Sequence, residues 1–492
     1  MDLNIEIANA FTRKIETSEA VSAVRGGLSS MDALYFDRQR SLSEAARRSS
    51  GNWTLEDGYQ PDGLNFRSSN SIRSHLDAQP PYAEFVERRL VGLLGDIRPK
   101  VVGLTITIPQ QLYGALWIAK LLKKLDSNHV VALGGNLPTR LFDEMSLSWM
   151  FDIADVLITN QGEQALVELA RSPEDRSRWS SIPNVRYRDQ GEVISSRRQL
   201  LSPSEFCQPD FSDTSFASYW ATPYAPVIGA RGCYYGKCTF CAIPFAWGNG
   251  GYIGSDNPRN VVRTMIDTVD RFQINRFKFV EESLHPKLVG EISQLLIDEG
   301  ASVEWEGYAR MDAPWFDSRF LQTVARAGLR KLYVGLELLP GTNREVFQKK
   351  DTPAALEFLT RMKEAGILVH IFVLVGHPGT SIDDAVSTLN FAMEHQDLID
   401  TLDINGFRYE KHTVIPGVTR RPDVQHDWAL DDPFETGLHP SLRPEAIDRI
   451  EDMLFKTYRD IVPRWFHPIY YAISPWTAFR KSSNNSEALS VI

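Results

Sequence analysis

From Tyr82 onward the chain alternates apolar runs of strand length with amphipathic periods of helix length, and this alternation constrains the fold more than any other feature. YAEFVERRLVGLLGDI reads as an amphipathic helix, KVVGLTITI as a buried strand and YGALWIAKLLKKL as another helix. HVVALGG is a second strand, and after a short helix DVLITNQGE is a third. Strands separated by helices cannot pair as hairpins, so the expectation up to about residue 170 is a parallel, doubly wound, Rossmann-like sheet. A polar connector follows, in which SIPNVRYRDQGEVISSRR ends in a small hairpin.

A second α/β series starts beyond it. Strand candidates run over Val227–Gly232, Phe277–Val280, Val303–Tyr308, Lys331–Leu336, Leu368–Val375 and Thr401–Phe407. The helical periods NVVRTMIDTVDRF, KLVGEISQLLIDE, FLQTVARAG, ALEFLTRMKEAG and DDAVSTLNFAMEH lie between them. Six such units in succession predict a partial (β/α)6 barrel, although an open sheet shares the pattern. The expected division is an irregular arm or divergent subdomain over 1–80, a Rossmann-like domain over 81–200, a barrel core over 215–415, and a small helical and aromatic extension over 416–492. The helix PEAIDRIEDMLFKTYRDIV and the stretch WFHPIYYAISPWTAF of that extension are expected to pack against the barrel and to line or cap its mouth.

Composition narrows the functional classes. With 492 residues, 43% hydrophobic and 24% charged, the chain can bury large cores. A net charge of -10 argues against a protein that tracks a nucleic-acid backbone. The opening MDLNIEIANAFTRKIE supplies no continuous apolar segment of a signal peptide, and no window has the ~18 apolar residues of a membrane span, so a cytoplasmic address is expected.

Only four cysteines occur, and three of them fall within RGCYYGKCTFC. Cys233, Cys238 and Cys241 are spaced C-x4-C-x2-C in a loop that follows an apolar strand, with Gly236 permitting a tight turn. So few thiols, so clustered, suit metal ligation or catalysis rather than a disulfide framework. Three thiolates can hold three irons of a [4Fe–4S] cube and leave the fourth iron open, whereas a structural site wants four ligands. Cys207 offers itself as a fourth ligand of a zinc knuckle in a non-catalytic interaction protein, the competing reading. Polar or glycine residues recur at the strand ends: Glu281 and Glu282, Arg310, Glu337, Gly376-His377, then Arg408 and Tyr409. In a barrel such positions converge on one mouth.

These segments together, RGCYYGKCTFC with FVEESL, WEGYARMD, KLYVGLELLPGTNREVFQKKDT and VHIFVLVGHPGTSIDD, resemble the radical S-adenosylmethionine (SAM) superfamily over residues 82–415. The resemblance is to the branch with an N-terminal cobalamin-binding domain, which acts on peptides or small natural products. The first cysteine gap is one residue longer than the usual C-x3-C-x2-C. The resemblance implies that Cys233, Cys238 and Cys241 ligate the cluster, that Phe240 lies near the SAM adenine, and that Glu281 or Glu282 receives the SAM ammonium. It further implies that Arg310 suits the SAM carboxylate, that Glu337 lies near the ribose, and that Gly376 allows the backbone to approach the adenine. His377 and Tyr409 could face substrate or serve structure, and no catalytic residue is assigned.

In the upstream domain, GLTITIPQ, ALGGNLPT and ITNQGEQAL resemble strand ends that bury a cobalamin nucleotide tail, which makes Thr105, Thr107, Gly134, Gly135 and Gly162 candidates; ordinary turns are the alternative. There is no D-x-H-x-x-G to supply a lower cobalt ligand, and His129 precedes a strand. The implied activity is hydrogen abstraction by an adenosyl radical, with cobalamin-dependent C-methylation in peptide or natural-product modification. The alternative is another radical SAM reaction beside a vestigial cobalamin domain. The implied partners are a small-molecule or peptide substrate and an electron donor such as a flavodoxin or ferredoxin.

Overall fold

The computed structural model describes residues 53–54, 60–80, 82–214, 216, 224–247, 252–339 and 355–436. Most of the expected N-terminal arm, the motif at 340–354 and the helix and aromatic stretch beyond 436 lie outside the described residues. The described residues form two compact units, one of those up to 200 with 422–433, the other of those from 201 to 421 with 434–436.

The first unit is built on a five-stranded sheet. Its strands β1 (Val101–Thr105), β2 (Val130–Gly134) and β3 (Val156–Ile158) run parallel, and β4 (Val185–Asp189) and β5 (Glu192–Ser195) continue the sheet antiparallel, in the order β1-β2-β3-β4-β5. The hairpin read from sequence as part of a connector is therefore the far edge of this sheet. Val185 and Tyr187 alternate inward along β4, and Tyr187 meets the fully buried Trp179 edge to face at 5.4 Å. That burial draws the hairpin onto β3. Helices α1 (Ser69–His75), α2 (Ala83–Ile97), α3 (Leu112–Leu125), α4 (Asn136–Arg140) and α5 (Glu163–Arg171) accompany the sheet. The face of α3 bearing Leu112, Leu116, Ala119 and Leu122 is wholly buried, as its period of three and four residues dictates.

Segment 422–433 completes this unit's core. Trp428 is fully buried, stacks on Trp149 with ring centres 5.5 Å apart, and donates its indole N–H to the Glu144 carbonyl at 3.0 Å. The side chain of Asp427 accepts from the backbone N–H of Ser69 at 2.8 Å.

The second unit carries six parallel strands in sequential order: β6 (Ala225–Val227), β9 (Arg276–Phe279), β10 (Glu304–Ala309), β11 (Leu329–Glu337), β12 (Leu368–Val375) and β13 (Thr401–Gly406). The two end strands do not pair, so the arc is a partial barrel. Helices α7 (Pro258–Phe272), α8 (Pro286–Asp298), α9 (Ser318–Arg326), α10 (Ala355–Glu364) and α11 (Ile382–Glu394) alternate with the strands. Trp305, Trp315, Phe277 and Phe358 fill the layer between them and are fully buried.

The expected strand Val227–Gly232 is divided in two. The break falls at Ile228 and Gly229, and residue 229 has room only for glycine, because a Cβ there would lie 2.7 Å from a Glu281 carboxylate oxygen and 3.1 Å from Leu288. After the break, β7 (Ala230–Gly232) leaves the barrel sheet and pairs antiparallel with β8 (Tyr252–Ser255). No helix among the described residues is long and apolar enough to cross a membrane.

The barrel interior carries a buried polar layer. Lys278, Glu306 and Lys331 occupy neighbouring registers on β9, β10 and β11, each no more than 5% exposed. The Lys278 ammonium lies 3.4 Å from the Glu306 carboxylate, Tyr333 donates to the same oxygen at 3.2 Å, and Lys331 donates to Thr401 at 2.8 Å.

Candidate functional site

The turn at Gly229 delivers the cysteine loop to the C-terminal ends of the barrel strands. Gly232 and Gly236 take positive φ values of 83° and 59°, so the backbone can reverse on both sides of Cys233. Cys233, Cys238 and Cys241 are half-buried and in no disulfide, while Cys207 is exposed. Burial pushes the Cys241 thiol up to about 12, and the proximity of Cys238, Cys233 and Glu410 adds to the rise. A thiolate at that position therefore needs a positive centre to hold it.

The aromatic residues of the loop dock beyond the ends of four strands, Tyr234 and Tyr235 sharing β10. Tyr234 donates its hydroxyl to Asp312 just past β10, and its ring meets His285 at 4.9 Å. The Arg310 guanidinium lies 3.6 Å from the centre of the Tyr235 ring. Phe240 meets His377, beyond β12, edge to face at 6.3 Å. Phe245, on α6 (Ile243–Ala246), stacks on His412, beyond β13, and Trp247 donates its indole N–H to Glu282, beyond β9. The sequence marks Arg310 and Glu282 for recognition of a ligand, but Tyr235, Asp312 and Trp247 are not legible as their partners. The interleaving of aromatics with cysteines is the one signal that could have found them.

The two neighbouring carboxylates differ. Glu281 is 2% exposed and accepts from the Gly229 N–H at 3.3 Å. Burial raises its carboxyl to about 8 against the pull of its backbone hydrogen bonds. Glu282 is less enclosed; burial raises it, while Trp247 and the Gly232 backbone favour its ionised form. One oxygen of each carboxylate is buried with no hydrogen-bond donor among the described residues. Arg310 loses to burial but is held charged by Asp312 and then by Cys238, Tyr234 and Tyr235, which leaves it above its ordinary range. Glu337 ends β11 with φ 60°, and Gly376 follows β12 with φ 79°. His377 is buried, and burial lowers its imidazole to about 4, so it is neutral.

In the first unit, Thr105 and Thr107 are exposed at the end of β1. Gly134 closes β2, and Gly162 caps the N-terminus of α5. Gly135 has an internal reason for being glycine: its φ is +108°, and a Cβ there would lie 2.5 Å from the Ile106 carbonyl oxygen.

Residues 227–392 match the profile of the Radical SAM superfamily. This segment is a radical SAM domain. No curated protein sequence matches the chain. Among solved structures, the chain is similar to the radical S-adenosylmethionine methyltransferase TsrM from Kitasatospora setae, solved with its tryptophan substrate and a SAM analogue. The TM-score is 0.54 at 18% identity, over 68% of this chain and 70% of that one. It is also similar to the cobalamin-dependent SAM radical enzyme OxsB, with TM-score 0.58, 12% identity, and coverage of 76% of this chain and 60% of that one. Over two thirds or more of the chain the fold is thus shared with TsrM and OxsB.

A radical SAM domain is defined by a [4Fe–4S] cluster and SAM, and the residues present fit both. Among the described residues no three His, Cys, Asp or Glu side chains form a ready-made metal group, so the fit rests on the donor set. Three thiols share one loop beside a cationic Arg310, and Glu282 offers a donorless carboxylate oxygen suited to an ammonium.

Proposed function

We propose that the chain is a radical SAM enzyme whose Cys233, Cys238 and Cys241 ligate a [4Fe–4S] cluster, and that it performs cobalamin-dependent C-methylation of a small-molecule or peptide substrate. When bound, the cluster supplies the electron that breaks a carbon–sulfur bond of SAM and frees a 5′-deoxyadenosyl radical for hydrogen abstraction. Glu282, the less enclosed of the two, receives the SAM ammonium in preference to Glu281. Gly376 lets the end of β12 approach the adenine, Phe240 lies against it, and Glu337 faces the ribose. In the first unit, Thr105, Thr107, Gly134 and Gly162 border the cobalamin tail. The TsrM and OxsB folds support this assignment of the first unit. The observation that carries the reading is the docking of the three-cysteine loop at the C-terminal ends of the parallel strands, beside a carboxylate with one buried oxygen that lacks a donor.

A second reading keeps the radical chemistry and dispenses with cobalamin. It is favoured by Gly135, whose missing side chain makes room for the Ile106 backbone.

Anaerobic reconstitution tests the first claim. About four irons per chain are expected, with 5′-deoxyadenosine released from SAM and that release abolished in Cys238→Ala. Stoichiometric zinc, or full activity of the variant, would overturn it. Hydroxocobalamin that fails to co-elute with the protein would leave only the second reading.

A further inference from the structure

We infer that Arg310 and Asp312 are positioning residues for the cysteine loop: Asp312 fixes Tyr234, Arg310 clamps Tyr235, and the guanidinium sets the electrostatic bias of the cluster. The inference rests on the proposed function for its second half only.

Both residues stand at the exit of β10, and they are tied to each other, Arg310 Nε lying 3.4 Å from Asp312. One holds each of the two tyrosines that directly follow Cys233. The two restraints differ in kind, since the tyrosine hydroxyl donates to a charged acceptor while the guanidinium covers a ring face. Together they fix both side chains at the point where the loop leaves β7. Arg310 is also close enough to Cys238 for the two to interact electrostatically. A fixed positive charge there favours the more negative, reduced state of a cluster. The family resemblance gives Arg310 to the SAM carboxylate, but in this chain its planar face is already taken by Tyr235.

Two measurements separate these roles. In iron-free, reduced protein, iodoacetamide alkylation of Cys233, Cys238 and Cys241 is followed by mass spectrometry. Asp312→Asn, Tyr234→Phe and Arg310→Gln are expected to raise the rate about tenfold, the effect of losing one charge-assisted contact from a local opening equilibrium. Circular dichroism confirms that each variant is folded, and Tyr234→Phe removes only a hydroxyl. In reconstituted protein, a redox titration followed by electron paramagnetic resonance is expected to show a lower midpoint potential in Arg310→Gln and recovery of most of the loss in Arg310→Lys. Wild-type alkylation rates in all three variants would overturn the inference. So would an Arg310→Gln protein whose potential is unchanged and whose SAM affinity alone falls. If the wild-type chain takes up no iron, the proposed function fails, while the alkylation arm still decides whether these residues hold the loop.

Discussion

The backbone N–H of Gly229 donates to a Glu281 carboxylate oxygen over 3.3 Å, which joins the break after β6 to the end of β9. Glu281 is almost wholly buried, and its carboxyl is raised from 4.5 to about 8. In that interval the folded chain binds a proton that the unfolded chain has released, so stability falls as pH rises from 4.5 through about 8. Glu281→Gln removes the titration. Melting curves of the two proteins are therefore expected to diverge between about pH 5 and 8, with the wild type losing ground to the variant. Parallel curves would show that burial does not hold the proton.

Gly135 answers to packing. Its positive φ and the 2.5 Å approach of a Cβ to the Ile106 carbonyl oxygen leave no room for a side chain. Gly135→Ala is expected to cost roughly 1–3 kcal/mol in denaturant unfolding. An unchanged unfolding midpoint with weakened cobalamin binding would instead make this glycine a ligand-facing residue.

Glu306 lies in register with two buried lysines, and burial lowers the Lys331 ammonium to about 8. Glu306→Gln removes the counter-charge and is expected to destabilise the second unit by about 3–5 kcal/mol. Adding Lys278→Met to that variant should recover part of the loss, so that the double change costs less than the two single changes summed. Additivity in this double-mutant cycle would mean that the 3.4 Å pair is not coupled.

The barrel strands were legible because parallel strands buried on both faces write themselves as continuous apolar runs. LVHIFVLV is the clearest case, where the expected and observed strand both span Leu368–Val375. The cysteine loop was legible from its spacing alone. The division at Gly229 was not, because Ile228 and Gly229 continue an apolar run and only the pairing of Ala230–Gly232 with Tyr252–Ser255 shows that the strand ends. The β4–β5 hairpin was found, but its place at the sheet edge depends on Tyr187 meeting Trp179, a tertiary contact. The site was half legible. Arg310 and Glu282 stood out as charges at strand ends, whereas nothing in the sequence pairs Tyr235 and Trp247 with them, because those contacts are tertiary.

The return of Trp428 to the first unit orders events during synthesis. As the chain leaves the ribosome, the sheet strands of the first unit emerge long before the indole that packs on Trp149. Maturation of that unit must wait until the whole barrel has been translated. Any fragment ending before 422 lacks the indole that stacks on Trp149.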